Sequence, residues 1–118
     1  MKVILFLTLI VPALALGASV VNSFDAPDTG ISALAWDGSS LWTVDGTTQN
    51  VYELDPSDGT VLSSFYIMDQ TPTYDPVPGG ATFLGSTLYV TMYYSNSYGK
   101  IYKYGSDGTY QGSFDVYC

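Results

Sequence analysis

Short runs of β-branched and aromatic residues recur along the chain after a long apolar N-terminal stretch, and clusters of Asp, Gly, Ser and Pro separate them. Such runs predict antiparallel strands joined by turns. One group falls at residues 31–36, 41–44, 51–54 and 60–65, and a second at 81–84, 87–93, 101–104 and 109–114. After residue 18 no stretch places apolar residues at helical spacing, so the pattern predicts an all-β chain. A ninth run at 20–24 resembles the fourth member of a group and predicts an extra N-terminal outer strand.

The two groups are copies of one another. Ser-Phe closes a segment three times, at Ser23-Phe24, Ser64-Phe65 and Ser113-Phe114, with spacings of 41 and 49. Between these marks, the segment from Ala35 to Trp42 lies over that from Thr82 to Tyr89 at a constant offset of 47, which sets Trp36 over Phe83 and Leu41 over Leu88. Tyr52 then lies over Tyr102 at 50, and Asp58-Gly59-Thr60 over Asp107-Gly108-Thr109 at 49. Self-similarity at this period marks a repeat architecture, in which each unit needs a neighbour to cover its apolar face. Two tandem four-stranded antiparallel blades follow, the first over 31–65 and the second over 81–114. Packed face to face, they are expected to bury Leu34, Leu41, Val44, Val51, Phe83, Leu88, Val90 and Ile101, with Trp36 and Trp42 as core rather than ligand platform.

Ahead of the repeats, Lys2 precedes an apolar run from residue 3 to 16 broken only by Thr8 and Pro12, and small residues follow it. That layout predicts a signal peptide over 1–18, cut at a site such as Ala15-Leu16-Gly17 before Ala18. The run is short for a membrane span and contains a proline, so no stable membrane anchor is expected. The mature part is then residues 19–118, a single small domain in a secreted or extracytoplasmic location.

Charge narrows the partners. Two lysines against eleven carboxylates leave the mature part at −9, which disfavours nucleic acid and anionic membranes. Eleven tyrosines, two tryptophans and five phenylalanines supply enough apolar surface for folding despite the acidity. Most aspartates sit beside Gly, Pro or Ser, where turn chemistry explains them. There is no histidine, so the usual general base and imidazole metal ligands are missing. No catalytic residue, metal or cofactor is assigned, and no enzyme is expected. The Asp55 to Gly59 cluster lacks the spacing and terminal glutamate of a calcium loop. Cys118 is the only cysteine. It forms no intrachain disulfide, and two alternatives stay open for it, a link between chains or the mark of a truncated frame.

The residues Ile31-Ser32-Ala33-Leu34-Ala35-Trp36-Asp37-Gly38, Leu41-Trp42-Thr43-Val44-Asp45, and Val51-Tyr52-Glu53-Leu54-Asp55-Pro56 with Asp58-Gly59 resemble the secreted short-repeat β-propellers of the NHL and YVTN type. The resemblance covers nearly all the mature chain and implies propeller-type blades. It says little about function, because such propellers host enzymes, lectin-like binders and scaffolds. Closed propellers have about 4 to 8 blades, so two blades imply a fragment of a longer propeller, a ring of several copies, or an open array. Two-blade chains that join in threes to a six-bladed ring resemble some small lectins, which gives the ring of copies a precedent of form. The alternative is a non-catalytic piece of a lyase- or hydrolase-type propeller whose active-site residues lie in other blades.

Strand parity puts the connections after the second and fourth strands of each repeat at one end. Both insertions in the second repeat fall at that end, within 66–80 and 93–99. Tyr66, Tyr74, Asp75, Tyr93, Tyr94, Asn96 and Tyr98 are therefore the candidate ligand-binding residues, tyrosines beside Asp and Asn that suit a carbohydrate or a peptide. Stacking also leaves two outer sheet faces uncovered, which predicts self-association through them, with Trp42, Tyr89, Val90 and the 20–24 segment near those surfaces.

Overall fold

The computed structural model describes residues 17–67, 76–95 and 98–117. The apolar run expected as a signal peptide and Cys118 lie outside these described residues. The described chain forms eight strands: β1 (Ile31–Trp36), β2 (Leu41–Asp45), β3 (Asn50–Leu54), β4 (Val61–Tyr66), β5 (Val77–Leu84), β6 (Thr87–Ser95), β7 (Tyr98–Gly105) and β8 (Tyr110–Tyr117). β1 to β4 make one antiparallel sheet in sequence order and β5 to β8 make a second. The described residues contain no helix.

The pairing register repeats residue for residue. Leu41 pairs with Trp36 and Leu54, and its counterpart Leu88 pairs with Phe83 and Tyr104. Register shifts repeat as well. The one between Ile31 and Ala33 returns between Pro78 and Gly80, and the one between Glu53 and Leu54 returns between Lys103 and Tyr104. Bulges re-aim side chains and fix register, so their recurrence keeps the two copies in step, and sheet two adds one further shift between Tyr93 and Ser95.

The faces that meet are nevertheless unlike. Residues paired directly across strands share a face, and sheet one turns Ala33, Ala35, Trp42, Val44, Val51 and Phe65 inward. Their counterparts in sheet two, Gly80, Thr82, Tyr89, Thr91, Ile101 and Phe114, point outward. Sheet two instead turns Ala81, Phe83, Leu88, Val90, Tyr102 and Tyr104 inward. In sheet one the equivalents of these, Leu34, Trp36, Leu41, Thr43, Tyr52 and Leu54, face away. The front of one repeat therefore packs on the back of the next.

This arrangement corrects several expectations. Val44, Val51, Leu88 and Val90 are buried as expected, but Leu34 is 63% exposed and Leu41, Phe83 and Ile101 are only partly covered. Trp42 is core, whereas Trp36 is half-exposed on the outward face of sheet one. Trp42 and Val90 lie in the interface rather than at an outer surface. Equivalent positions cannot all be buried when the two sheets use opposite faces.

Across the interface Trp42 meets Phe83 and Phe65 meets Tyr104, with ring centroids 5.4 and 5.3 Å apart. The sheets approach most closely where β5 lies on β1 and β2, an approach that the small side chains Ala33, Ala35 and Ala81 permit. Toward β4 and β7 the gap widens and aromatic rings fill it. The layers thus form a wedge.

Candidate functional site

Sheet one's outward face is crossed by the chain that precedes β1. Asn22 Nδ2 donates to the carbonyl of Ser57 at 2.8 Å, and Phe24 lies against Gly59. Asp28 accepts hydrogen bonds from the Tyr52 hydroxyl at 2.9 Å and the Thr48 hydroxyl at 3.2 Å. The run at 20–24, expected as a further strand, pairs with neither of the two sheets. Where this segment ends, Asp45 is wholly buried and accepts hydrogen bonds from the backbone N–H groups of Thr48, Thr47 and Gly30 at 2.6, 2.7 and 2.8 Å. Burial opposes its charge, but these donors outweigh that and hold its pKa below the usual carboxylate value. A β-carbon on Gly30 would lie 2.8 Å from Asp45 Oδ1 and 2.6 Å from Thr47 Oγ1, so a side chain there would have to push the Asp45 carboxylate and the Thr47 hydroxyl aside.

Asp37 anchors the inward face. It accepts from the backbone N–H of Ser39 and Ser40, and from Trp42 Nε1, each at 2.8 Å. Burial acts against its ionisation, yet the donors from Ser40, Ser39 and Trp42 bring its pKa down to about 2. The indole of Trp42 is thereby fixed for its contact with Phe83. Sheet two lacks the anchor, since Asp37's counterpart is Leu84, which is 72% exposed on the outward face.

That outward face of sheet two holds a concavity of about 410 Å³ lined by Gly80, Ala81, Thr82, Leu84, Tyr89, Thr91 and Ile101. Of these, Gly80, Thr82, Tyr89, Thr91 and Ile101 are the counterparts of residues that sheet one turns toward sheet two. At the place where Phe83 meets Trp42 inside the molecule, Tyr89 faces open space. The complementary element stands at the other end, where Trp36, the counterpart of Phe83, is 51% exposed.

Of the seven candidate ligand residues, Tyr74, Asp75 and Asn96 lie outside the described residues. The other four occur at the expected end of the sheets, where Gln49 links the connections by donating to the Pro76 carbonyl at 2.9 Å and accepting from the Tyr66 hydroxyl at 3.1 Å. They do not form one loop cluster. β6 and β7 continue to Ser95 and from Tyr98, so Tyr93, Tyr94 and Tyr98 are strand residues. The Ser and Gly content of that segment reads as a turn in sequence, but the insertion lengthens a hairpin instead. Tyr94 turns toward the Tyr102 hydroxyl and stacks near Tyr98, with centroids 5.5 Å apart. Tyr93 lines a second concavity of about 420 Å³ together with Thr91, Ile101 and Val116.

Sequence reasoning missed the polar group beside these tyrosines. Lys100 Nζ lies 3.0 Å from Asp115 Oδ1, which also accepts from the Tyr98 hydroxyl at 3.1 Å. The bonds to Asp115 and then Tyr98 push the Lys100 pKa up, and Lys100 in turn holds Asp115 down. Alignment of Lys100 with Asn50 and of Asp115 with Tyr66 gave no sign of the pair, because it belongs to one repeat only.

The fold is all-β, two tandem four-stranded antiparallel sheets whose outer faces are unlike. The sequence matches no protein-family model and no curated protein significantly.

Proposed function

We propose that the protein is a secreted propeller-type repeat module that works by structural assembly, stacking head to tail with a second copy through the outward faces of its sheets. The observation that carries this is the use of opposite faces at equivalent positions in the internal interface. Each outer face repeats one half of a contact the molecule already makes, so a second copy supplies the missing half. Trp36 of one copy enters the concavity beside Tyr89 of the next, as Phe83 meets Trp42 within the chain. A heterologous contact of this kind generates a ring if the rotation closes and an open stack if it does not. The wedge between the sheets favours a ring.

No catalytic role belongs to this function. Asp37 and Asp45 are engaged by turn and backbone donors, and histidine is absent. Light scattering on the chain from Gly17 onward, taken over a wide concentration range under reducing conditions, tests the assembly. Discrete multimers that dissociate on dilution are expected, and a folded monomer at every concentration contradicts it.

A second use, binding of a carbohydrate or a peptide, is favoured by the concavity beside Tyr93. An aromatic platform with hydroxyls and the Lys100–Asp115 pair nearby suits either ligand. Saturation-transfer NMR with neutral oligosaccharides and with short peptides tests it, with loss of the signal in Tyr93→Ala as the expected mark of this site.

A further inference from the structure

We infer that Phe24 occupies, on sheet one, the seat that Phe114 of a second copy takes when copies stack, so the segment before β1 is a self-cap that assembly must displace. This rests on the head-to-tail stacking proposed above and specifies how that interface is regulated.

The seat is defined twice within the chain. Phe65, at the end of sheet one's outer strand, lies over the β7–β8 turn of sheet two. A β-carbon on Gly108 would sit 2.8 Å from Phe65 Cγ. Phe24 lies over the equivalent β3–β4 turn of sheet one, where a β-carbon on Gly59 would sit 2.7 Å from Phe24 Cγ. The two turn glycines share a left-handed conformation, with φ of +77° at Gly59 and +81° at Gly108. Glycine is required at both positions by backbone and by space. Leu54, on the outward face next to this turn, is buried, as is its counterpart Tyr104 beneath Phe65.

The third Ser-Phe pair has no turn to cover. Phe114 is 48% exposed at the outer edge of sheet two. In a head-to-tail stack, β8 of one copy stands to sheet one of the next as β4 stands to sheet two. Phe114 then falls on Gly59, which Phe24 already occupies. Both rings cannot fit.

The own-chain segment is held lightly. Its capping part has the Asn22 bond to Ser57 and the Phe24 contact but no strand pairing, Val20 and Val21 are exposed, and only further on does Asp28 tie the chain to Tyr52 and Thr48. β8, by contrast, is paired along its length with β7. A neighbour bringing a whole sheet face can therefore displace the cap. Because the capped form is not competent to stack, the apparent affinity is the intrinsic affinity multiplied by the fraction of molecules that are uncapped.

Two measurements test this. Sedimentation equilibrium of the chain from Gly17 is compared with Phe24→Ala, Asn22→Ala and Phe114→Ala. Separately, a synthetic peptide of Tyr110–Tyr117 is titrated into the wild type and Phe24→Ala by NMR. Phe24→Ala is expected to tighten self-association by at least about tenfold by removing the competing state. Asn22→Ala acts in the same direction by a smaller factor, and serves if Phe24→Ala does not fold. Phe114→Ala weakens association, and the peptide binds the uncapped variant in preference to the wild type. Where the wild type associates, unchanged or weaker association in both cap variants overturns the inference, as does a peptide that binds both proteins equally or neither. Chains that associate identically in every variant leave stacking intact and remove the cap. A peptide that selects the uncapped variant while all chains stay monomeric upholds the cap and removes stacking.

Discussion

Trp42 and Phe83 meet at 5.4 Å across the interface with their rings inclined at 57°, although they are not counterparts in the repeat. Trp42 corresponds to Tyr89 and Phe83 to Trp36. Each tandem unit carries both halves of the contact, one on each face. The two middle halves are used inside the molecule and the outer two face solvent.

Trp42→Ala is expected to lower stability by about 3–5 kcal/mol, the usual cost of emptying a large aromatic site in a core. It removes the contact with Phe83 and leaves Asp37 without its indole donor. Urea unfolding followed by circular dichroism checks this. Trp36→Ala, at a half-exposed position, is expected to cost the monomer far less.

Thr43→Val is expected to be neutral or to stabilise by up to about 1 kcal/mol. The Thr43 hydroxyl is buried without a hydrogen-bond partner among the described residues, and the repeat already uses valine at the counterpart Val90. Replacing an unsatisfied polar atom with an apolar group of the same shape removes a desolvation cost. The midpoint of urea unfolding at neutral pH reads the change directly.

Acid should weaken the fold through Asp37 and Asp45. Both have pKa values depressed below the ordinary 3.8, Asp37 to about 2. A depressed carboxylate contributes stability that is full above its unfolded value and is lost as pH falls through the folded one. The midpoint of urea unfolding is therefore expected to hold from neutral pH to about 5 and to fall steadily below about 4. Asp37→Asn should flatten part of that fall.

The repeat was legible in the sequence because Trp36 and Leu41 keep their spacing in Phe83 and Leu88, and Leu54, three residues out of step with Tyr104, keeps its pairing, with Leu41 as Tyr104 pairs with Leu88. The choice of buried face was not legible. Leu41 and Trp42 are adjacent and both apolar, so a period of two assigns neither to the interior. When both sides of a sheet are apolar, the neighbour decides which is covered, and sheet one and sheet two have neighbours on opposite sides. The ligand face was legible only as an end of the sheets. Tyr93 and Tyr94 are consecutive strand residues, and strand geometry sends them to different faces.

Export should leave a processed N-terminus. Mass spectrometry of the secreted protein is expected to place the first residue between Leu16 and Ser19, following the small residues after the apolar run. Intact Met1 in a membrane fraction contradicts secretion in this form.

The most direct measurement of head-to-tail stacking mixes two chains, each with one face disabled. Trp36→Asp spoils the outward face of sheet one and leaves that of sheet two, whereas Tyr89→Asp does the reverse. Each variant alone lacks one half of the contact and should sediment as a monomer. Mixed in equal amounts they retain one complementary pair of faces, so a one-to-one dimer and nothing larger is expected. Multimers in either variant alone, or monomers only in the mixture, would contradict assembly through these unlike faces.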